Sequence, residues 1–590
     1  MKVVAVIPAR GKSKGVKDKN IAPLMGKPLI SYTISDVLLY ADFVDKVVVS
    51  TDDKKIADVA KKCCVSVIDR PKEYATDEAP IEWALRHAVD CLEENENYIP
   101  DIVVWLQANV PIRKRGMIDE VIRKLIDTKA DSVITVTEAT QRPEYMVSID
   151  GDKIINLPNI KEYRRQDFKN PLYIPDGAVL AMKRDVLMDS AGLKGAYAYL
   201  GKDVRCIVQE AKYAIEIDDP LDMEVAKAVL QMDKCENVVS EPSRCARCVL
   251  PDTKPNLTFD EDGVCSACRS AELKDSIDWE NRFYELCKII SKYKSSDGNN
   301  YDCIIPVSGG KDSHFQVITM LDLGVKPLCV TFSPCKSTGI GKRNLENLKN
   351  LGVDHIQFTP NPSIYKKLFR LGFERIGDPC LPCHVGIFTY PVQIAVKFNI
   401  PLVVWGENSQ LEYGGPATDS NHPYLDREWF DKHGGLWRAT PDTWIGYDGI
   451  DEHELLSYKY PSDEDIRRVG VTGIFLGYFL KWDARSQVKL VRRRGFEVLP
   501  DRSIGTYTNY ENLDCGFVDI HDYLKYMKFG FGRTTDHASI DIRNNRMTRE
   551  EGLKLAKKYD GEVERINEFC EFIGISRQEF DEVVHQFSRG

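Results

Sequence analysis

What the chain lacks narrows its class before any motif is read. It has no apolar stretch of about 18 residues or more, so no membrane-spanning helix is expected. No signal peptide precedes the first strand-like run, Met1-Lys-Val-Val-Ala-Val-Ile-Pro8, and a cytosolic protein is the expectation. Basic excess is missing too: 80 Lys and Arg stand against 90 Asp and Glu, a formal charge of −10, which opposes a dedicated nucleic-acid binder but leaves local basic patches open. There are no internal repeats and no low-complexity tracts. The 17 cysteines are an odd number in a large chain, so in a reducing compartment they are expected as metal ligands, reactive thiols or small core residues rather than disulfides. At 590 residues the chain is too long for one core, and two or more domains are expected.

Apolar runs at 3–8, 46–50, 64–68, 102–107 and 132–136 read as strands, with amphipathic segments between them, the pattern of a doubly wound parallel sheet. The periodicity is lost between Met232 and Pro242, where a linker is expected. A cysteine-rich insert follows, and strands alternate with helices again from 302 to about 408. The remainder is rich in aromatics and ends in helical, charged sequence at about 548–588. The expected fold is α/β: two doubly wound parallel-sheet domains joined through a small zinc ribbon, with boundaries at 1–235, 236–275 and 276–590.

Three motifs carry chemistry. Ser308-Gly-Gly-Lys-Asp-Ser313 follows the apolar run Cys303–Val307 and opens a helix. Its glycines let backbone amides face a phosphate, while Ser308, Ser313 and Lys311 add donors at the positive helix end. Ile305 stands where a Walker loop needs glycine, so an ordinary NTPase loop is a poor fit. Cys245-Ala-Arg-Cys248 and, sixteen residues on, Cys265-Ser-Ala-Cys268 have the spacing of two metal knuckles, a closed four-thiolate zinc site that folds a ribbon and leaves no room for a catalytic water. Third, Arg10, Lys12, Lys14, Lys17 and Lys19 crowd a glycine-containing loop just after the first strand, where an open α/β sheet places its ligand, here a triphosphate.

The basic loop, Ile7 to Asn20, resembles the signature of the acylneuraminate cytidylyltransferases, which make CMP-activated sialic acids from CTP and a nine-carbon ketosugar acid. Further blocks over the first 230 residues fit: Arg70-Pro71 with Asp77 and His87, Leu106 to Arg113, Asp176-Gly-Ala178, and Glu216-Ile-Asp218 with Asp222. The resemblance implies that Arg10, Ser13 and Lys14 hold CTP phosphates, with Arg10 and Lys14 catalytic. It also implies that Lys19 and Asn20 support the nucleotide, Glu216 and Asp218 ligate Mg²⁺, and Gln107 and Asp176 face the sugar. The pattern departs from the family at Lys12, at Ala108-Asn109-Val110 and at Asp176; the last two touch the sugar pocket.

Ser308-Gly-Gly-Lys-Asp-Ser313 looks like the loop of the ATP pyrophosphatase, or PP-loop, superfamily, and the segment from about 244 onward resembles the N-acetyl sugar amidotransferases. Besides the knuckles and the loop, the shared stretches are Gly341 to Asn347, Gly377-Asp-Pro-Cys-Leu-Pro-Cys-His384, Trp405-Gly-Glu-Asn408 and His521 to Tyr526. The resemblance implies ATP binding by Ser308, Gly309, Gly310, Lys311, Asp312 and Ser313, with Lys311 and Asp312 catalytic, and conversion of an acetamido to an acetamidino group. Cys380 and Cys383 are further candidates: an iron–sulfur cluster or second metal, with Cys515 or Cys335 as a third thiol, a substrate-side role, or a turn-shaping pair. No glutaminase signature is found, so a separate glutaminase subunit is the expected ammonia source.

Together these features suggest a bifunctional enzyme of nonulosonic acid biosynthesis, of legionaminic or pseudaminic type, for cell-surface glycans. One half would form the CMP ester with Mg²⁺ and the other would amidinate the same sugar. The substrate is a small sugar, with neither nucleic acid nor membrane as partner, and a homo-oligomer is expected because the cytidylyltransferase family commonly pairs its subunits. Two rival readings are a PP-loop RNA thiolase with a nucleotide-binding N-terminal module, and a sugar amidotransferase whose N-terminal half only binds CMP-sugar.

Overall fold

The structure, a computed structural model, describes residues 1–11, 15–63, 65–139, 141, 143, 146–155, 171–236, 242–295, 298–407, 412–413, 422–433 and 441–588. The chain divides into two compact units, Met1–Glu236 and Asn237–Gly590.

Seven strands form the sheet of the first unit: β1 Val3–Pro8, β2 Lys46–Thr51, β3 Ser66–Asp69, β4 Ile102–Trp105, β5 Ser132–Glu138, β6 Tyr173–Lys183 and β7 Val204–Gln209. In β1, Val3, Val4, Ala5, Val6 and Ile7 are all buried, as a strand covered on both faces requires. The spatial order is β3-β2-β1-β4-β6-β5-β7. The expectation of a wholly parallel sheet needs correction, because β6 runs antiparallel to both β4 and β5. Apolar periodicity carries no direction, so nothing local in Tyr173–Lys183 distinguishes the two senses. The chain order reverses at β1 and β4, and the crevice beyond their carboxyl ends is where such sheets take ligands.

The second unit repeats the device with β8 Cys303–Pro306, β9 Pro327–Phe332, β10 Asp354–Phe358, β11 Leu402–Trp405, β12 Tyr424–Leu425 and β13 Thr472–Phe475. Their order is β10-β9-β8-β11-β13-β12, parallel except for the short edge strand β12. The switch falls between β8 and β11, so the loop after β8, with Ser308 to Gly310, and the end of β11, with Glu407, meet at one crevice. The cysteine knuckles belong to this unit, where Arg549, the first residue of helix Arg549–Tyr559, donates Nε–H to the carbonyls of Cys245 and Cys248, both at 3.0 Å.

Among the described residues, no helix is long and apolar enough to cross a membrane.

Candidate active sites

Beyond β1 and β4 of the first unit lies a cleft of about 500 Å³ lined by Arg10, Lys19, Asn20, Arg70, Gln107, Asn109 and Asp218, among others. The loop after β1 is pressed against the segment carrying Asp218: a Cβ on Gly15 would stand 1.9 Å from the Asp218 carbonyl oxygen, so only glycine fits. Asn20 is buried and donates Nδ2–H to the Arg10 carbonyl at 3.0 Å, fixing the loop across its own span. Arg10 pairs with Asp77 at 2.6 Å and Lys19 with Asp218 at 2.8 Å. The exposed Lys19–Asp218 pair is worth about 0–1 kcal/mol and yields easily to a stronger ligand.

Asn109 organises the acidic side. Its Nδ2 lies 3.1 Å from Glu216 Oε1 and 3.4 Å from Asp218 Oδ1, which gathers the two carboxylates. Desolvation raises the Glu216 carboxyl above its ordinary range, and the charges of Asp218 and Asp222 add to the shift against the Asn109 hydrogen bond. Arg70 is buried and bonds Ser50; burial lowers its guanidinium to about 10, with Asp52 opposing the shift. Gln107 packs under Gly177, whose φ is +69° and whose Cβ would lie 2.4 Å from Gln107 Nε2.

Of the residues expected here, the structure brings Arg10, Lys19, Asn20, Gln107 and Asp218 to the cleft, with Glu216 alongside through Asn109. Asp176 is not part of that lining. It is buried, and its carboxylate accepts from Thr135 Oγ1 at 2.5 Å, the Ala178 amide at 3.0 Å and Gln209 Nε2 at 2.7 Å. Ser13 and Lys14 lie outside the described residues.

In the second unit, Gly310 caps helix Lys311–Asp322, and Ser308 to Ser313 close on themselves. The Ser308 amide donates to Ser313 Oγ at 2.9 Å, and the Gly310 amide to Ser308 Oγ at 3.3 Å. Gly309 has a φ of +85°, and a Cβ there would come within 3.0 Å of the Leu345 nitrogen. Lys311 is buried, with Nζ 2.6 Å from Asp312 Oδ2 and 3.0 Å from Glu511 Oε1. Burial opposes its charge, but Asp312, Glu511 and Glu407 outweigh it and hold the ammonium well above its usual value. The Glu407 carboxyl is raised to about 8 by burial first and then by Asp312, against the attraction of Lys311. Asp312 Oδ1 is buried without a hydrogen-bond partner among the described residues. A cavity of about 430 Å³ opens beside Ser308, lined also by Thr331, Gly341, Arg343, Gln357 and Asp514, of a size that holds a nucleotide. Asn408 lies outside the described residues.

The four knuckle thiols are buried, and their sulfurs lie within 4.8 Å of one another. Cys245 and Cys268 are 3.8 Å apart, and Cys248 and Cys265 are 3.6 Å apart, too far for S–S bonds. Backbone N–H groups of Arg247, Cys248 and Cys265 point at Cys245 Sγ, and that of Leu250 at Cys248 Sγ, as thiolates require. The donor set therefore fits a tetrahedral Cys₄ metal.

Cys380 and Cys383 remain electrostatic neighbours, and Cys515 also acts on Cys380. Cys383 accepts the company of Tyr365 Oη at 2.9 Å, and hydrogen bonding with Cys383 and Cys515 raises the Cys335 thiol. Cys380 also gathers with Asp378 and His521.

Sequence reasoning missed three contributors. In sequence Asn109 marks only a departure from a family pattern, Arg70 only part of a block, and Glu511 lies in an aromatic-rich stretch with no motif to mark it. Its role becomes visible only when the fold returns it to Lys311.

The comparisons agree with the division into units. Residues 4–171 match the cytidylyltransferase family model, and residues 504–590 match the model described as LPS biosynthesis protein WbpG-like, C-terminal domain. The chain is 32% identical over 192 residues to N-acylneuraminate cytidylyltransferase of Streptococcus agalactiae serotype V, covering 32% of this chain and 45% of that protein. It is 28% identical over 239 residues to CMP-N,N'-diacetyllegionaminic acid synthase of Legionella pneumophila, covering 40% of this chain and 98% of that one. Pseudaminic acid cytidylyltransferase of Campylobacter jejuni serotype O:23/36 is 34% identical over 139 residues, 23% of this chain and 59% of that protein. The chain thus spans about half the length of the first of these relatives, while its first unit is similar to nearly all of the legionaminic acid synthase. The first unit has cytidylyltransferase homologues that act on nonulosonic acids.

Proposed function

We propose that the chain is a bifunctional sugar-activating enzyme. Its first unit transfers CMP from CTP to a nonulosonic acid of legionaminic or pseudaminic type, and its second unit uses ATP and ammonia to turn an acetamido group of such a sugar into an acetamidino group. The observation that carries the reading is the pair of switch-point loops, one per unit, each at the crevice where its sheet takes ligands and each chemically suited to a triphosphate.

In the first unit the sugar's anomeric oxygen attacks the α-phosphorus of CTP and pyrophosphate departs. Arg10 and Lys19, with Lys14 and Ser13 on the same loop, neutralise charge on the phosphates, and Asn20 keeps the loop in shape. Glu216 and Asp218, held by Asn109, would bind Mg²⁺, which supplies Lewis-acid polarisation of the α-phosphate when bound. Gln107 faces the sugar, and Asp176 supports that wall from behind through Thr135 and Gln209.

In the second unit the acetamido oxygen attacks the α-phosphorus of ATP, releasing pyrophosphate to the amides and hydroxyls of Ser308 to Ser313 and to Lys311. Ammonia adds to the activated carbon, AMP leaves with the former carbonyl oxygen, and the product is lighter by about one dalton. Cys245, Cys248, Cys265 and Cys268 would hold a structural Zn²⁺. A separate glutaminase supplies ammonia. Exposed Ile149, Ile154, Ile155 and Ile174 of the first unit support pairing with a second copy.

The test is product mass. The purified chain is incubated with CTP, Mg²⁺ and a diacetylated nonulosonic acid, and then with ATP and ammonium. The CMP ester and a one-dalton loss are expected; formation of neither removes the reading.

A further inference from the structure

The geometry points to a second, open metal site in the second unit, formed by Asp378, Cys380 and His521 and suited to a divalent cation of borderline softness such as Zn²⁺ or Fe²⁺. One ligand atom from each of the three residues lies within 4.8 Å of the others. Three features of the chain build this cluster. Helix Pro362–Ile376 ends on Gly377 with φ +59°, where a Cβ would strike the Phe587 ring at 2.8 Å, and this turn delivers Asp378. Asp378 Oδ1 then accepts the Cys380 amide at 2.9 Å, which fixes Cys380 at the start of helix Leu381–Phe398 beside the carboxylate. His521, from the first turns of helix Val518–Phe529, brings Nδ1 to 3.0 Å from Asp378 Oδ1.

The mixed oxygen, sulfur and nitrogen donors select against Mg²⁺ and Ca²⁺, which want oxygen alone. Three protein ligands rather than four is the count of a site that keeps a position for an exchangeable ligand. That position has somewhere to face: Asp378, His384 and His521 line a cavity of about 330 Å³ whose other walls include Lys525, Lys528 and Phe531. The contrast with the knuckles is direct, since their four sulfurs close on themselves. Of the neighbouring pair Cys380 and Cys383, it is Cys380 that joins Asp378 and His521, while Cys383 bonds Tyr365 and Cys335.

Metal content tests this without any substrate and so independently of the amidination reading. The full chain, purified under anaerobic conditions, is expected to hold two metal equivalents. One is lost in His521→Ala and in Cys380→Ser, and both are kept in Cys383→Ala. Retention of the knuckle metal in each variant reports that the unit still folds. In the unaltered chain loaded with Co²⁺, the thiolate-to-cobalt charge-transfer band should exceed that of four thiolates by the contribution of a fifth, and His521→Ala should remove that excess. One equivalent in the native chain, two equivalents indifferent to His521→Ala, or iron with acid-labile sulfide lost in Cys383→Ala would each overturn the assignment.

Discussion

The two switch-point loops arrange their charge in opposite ways. In the first unit, charge comes from side chains at a solvent-open cleft, Arg10 and Lys19 paired with Asp77 and Asp218 in salt bridges that water screens. In the second unit, the loop's amides and serine hydroxyls bond one another, and the adjoining Lys311 is buried with its charge held by Asp312 and Glu511. An open loop can exchange its partners for a metal-bound nucleotide at little cost, whereas a buried cation with surrounding carboxylates is set in advance and costly to disturb.

If that contrast is right, substitutions should separate the two reactions. The largest effect is expected for Lys311→Met: ATP-dependent pyrophosphate release falls on the order of 10³-fold, CTP-dependent release is unchanged, and denaturant unfolding shows the second unit destabilised by about 3–5 kcal/mol from the carboxylates left unpaired. Gly15→Ala should do the converse. With a Cβ 1.9 Å from the Asp218 carbonyl, the loop must shift, and CTP-dependent turnover should fall on the order of 10²-fold while the ATP-dependent rate stays at the native value. Equal losses in both reactions would erase the distinction between the units. Asn109→Ala sharpens it further: releasing Glu216 from Asp218 should raise the Mg²⁺ concentration needed for half-maximal CTP turnover about tenfold, read from a titration.

The smallest effect concerns pH. Glu407 is raised from 4.5 to about 8, so the folded chain holds this proton more tightly than the unfolded chain. The stability it contributes is present below about pH 4.5 and is lost as pH rises towards 8, with no further change above. Glu407→Gln should therefore flatten the fall in denaturant midpoint between pH 6 and 8; an unchanged slope would assign the titration to another group.

Much of this was legible because it is local. Val3–Pro8 and Cys303–Pro306 are unbroken apolar runs ending in glycine-containing loops, and such a run names a buried parallel strand and its ligand end together. The paired knuckles are equally local, each turn carrying two cysteines. What escaped is what only the fold brings together. Thr135 on β5 and Gln209 on β7 turn Asp176 inward, though nothing in its own segment says that its carboxylate is already satisfied. The direction of β6, the return of Glu511 to Lys311, and the meeting of Asp378 with His521 across 143 residues are likewise set by topology rather than by any neighbouring residue.

Whether one chain houses two separate nucleotide reactions is tested most directly by measuring pyrophosphate release from CTP and from ATP in the same preparation, for the native chain, Arg10→Ala and Lys311→Met. The sugar acceptor and ammonium are present throughout. The expected result is a crossed pattern, Arg10→Ala losing only the CTP signal and Lys311→Met only the ATP signal. A native chain that releases pyrophosphate from one nucleotide alone, or a single substitution that silences both, would contradict it.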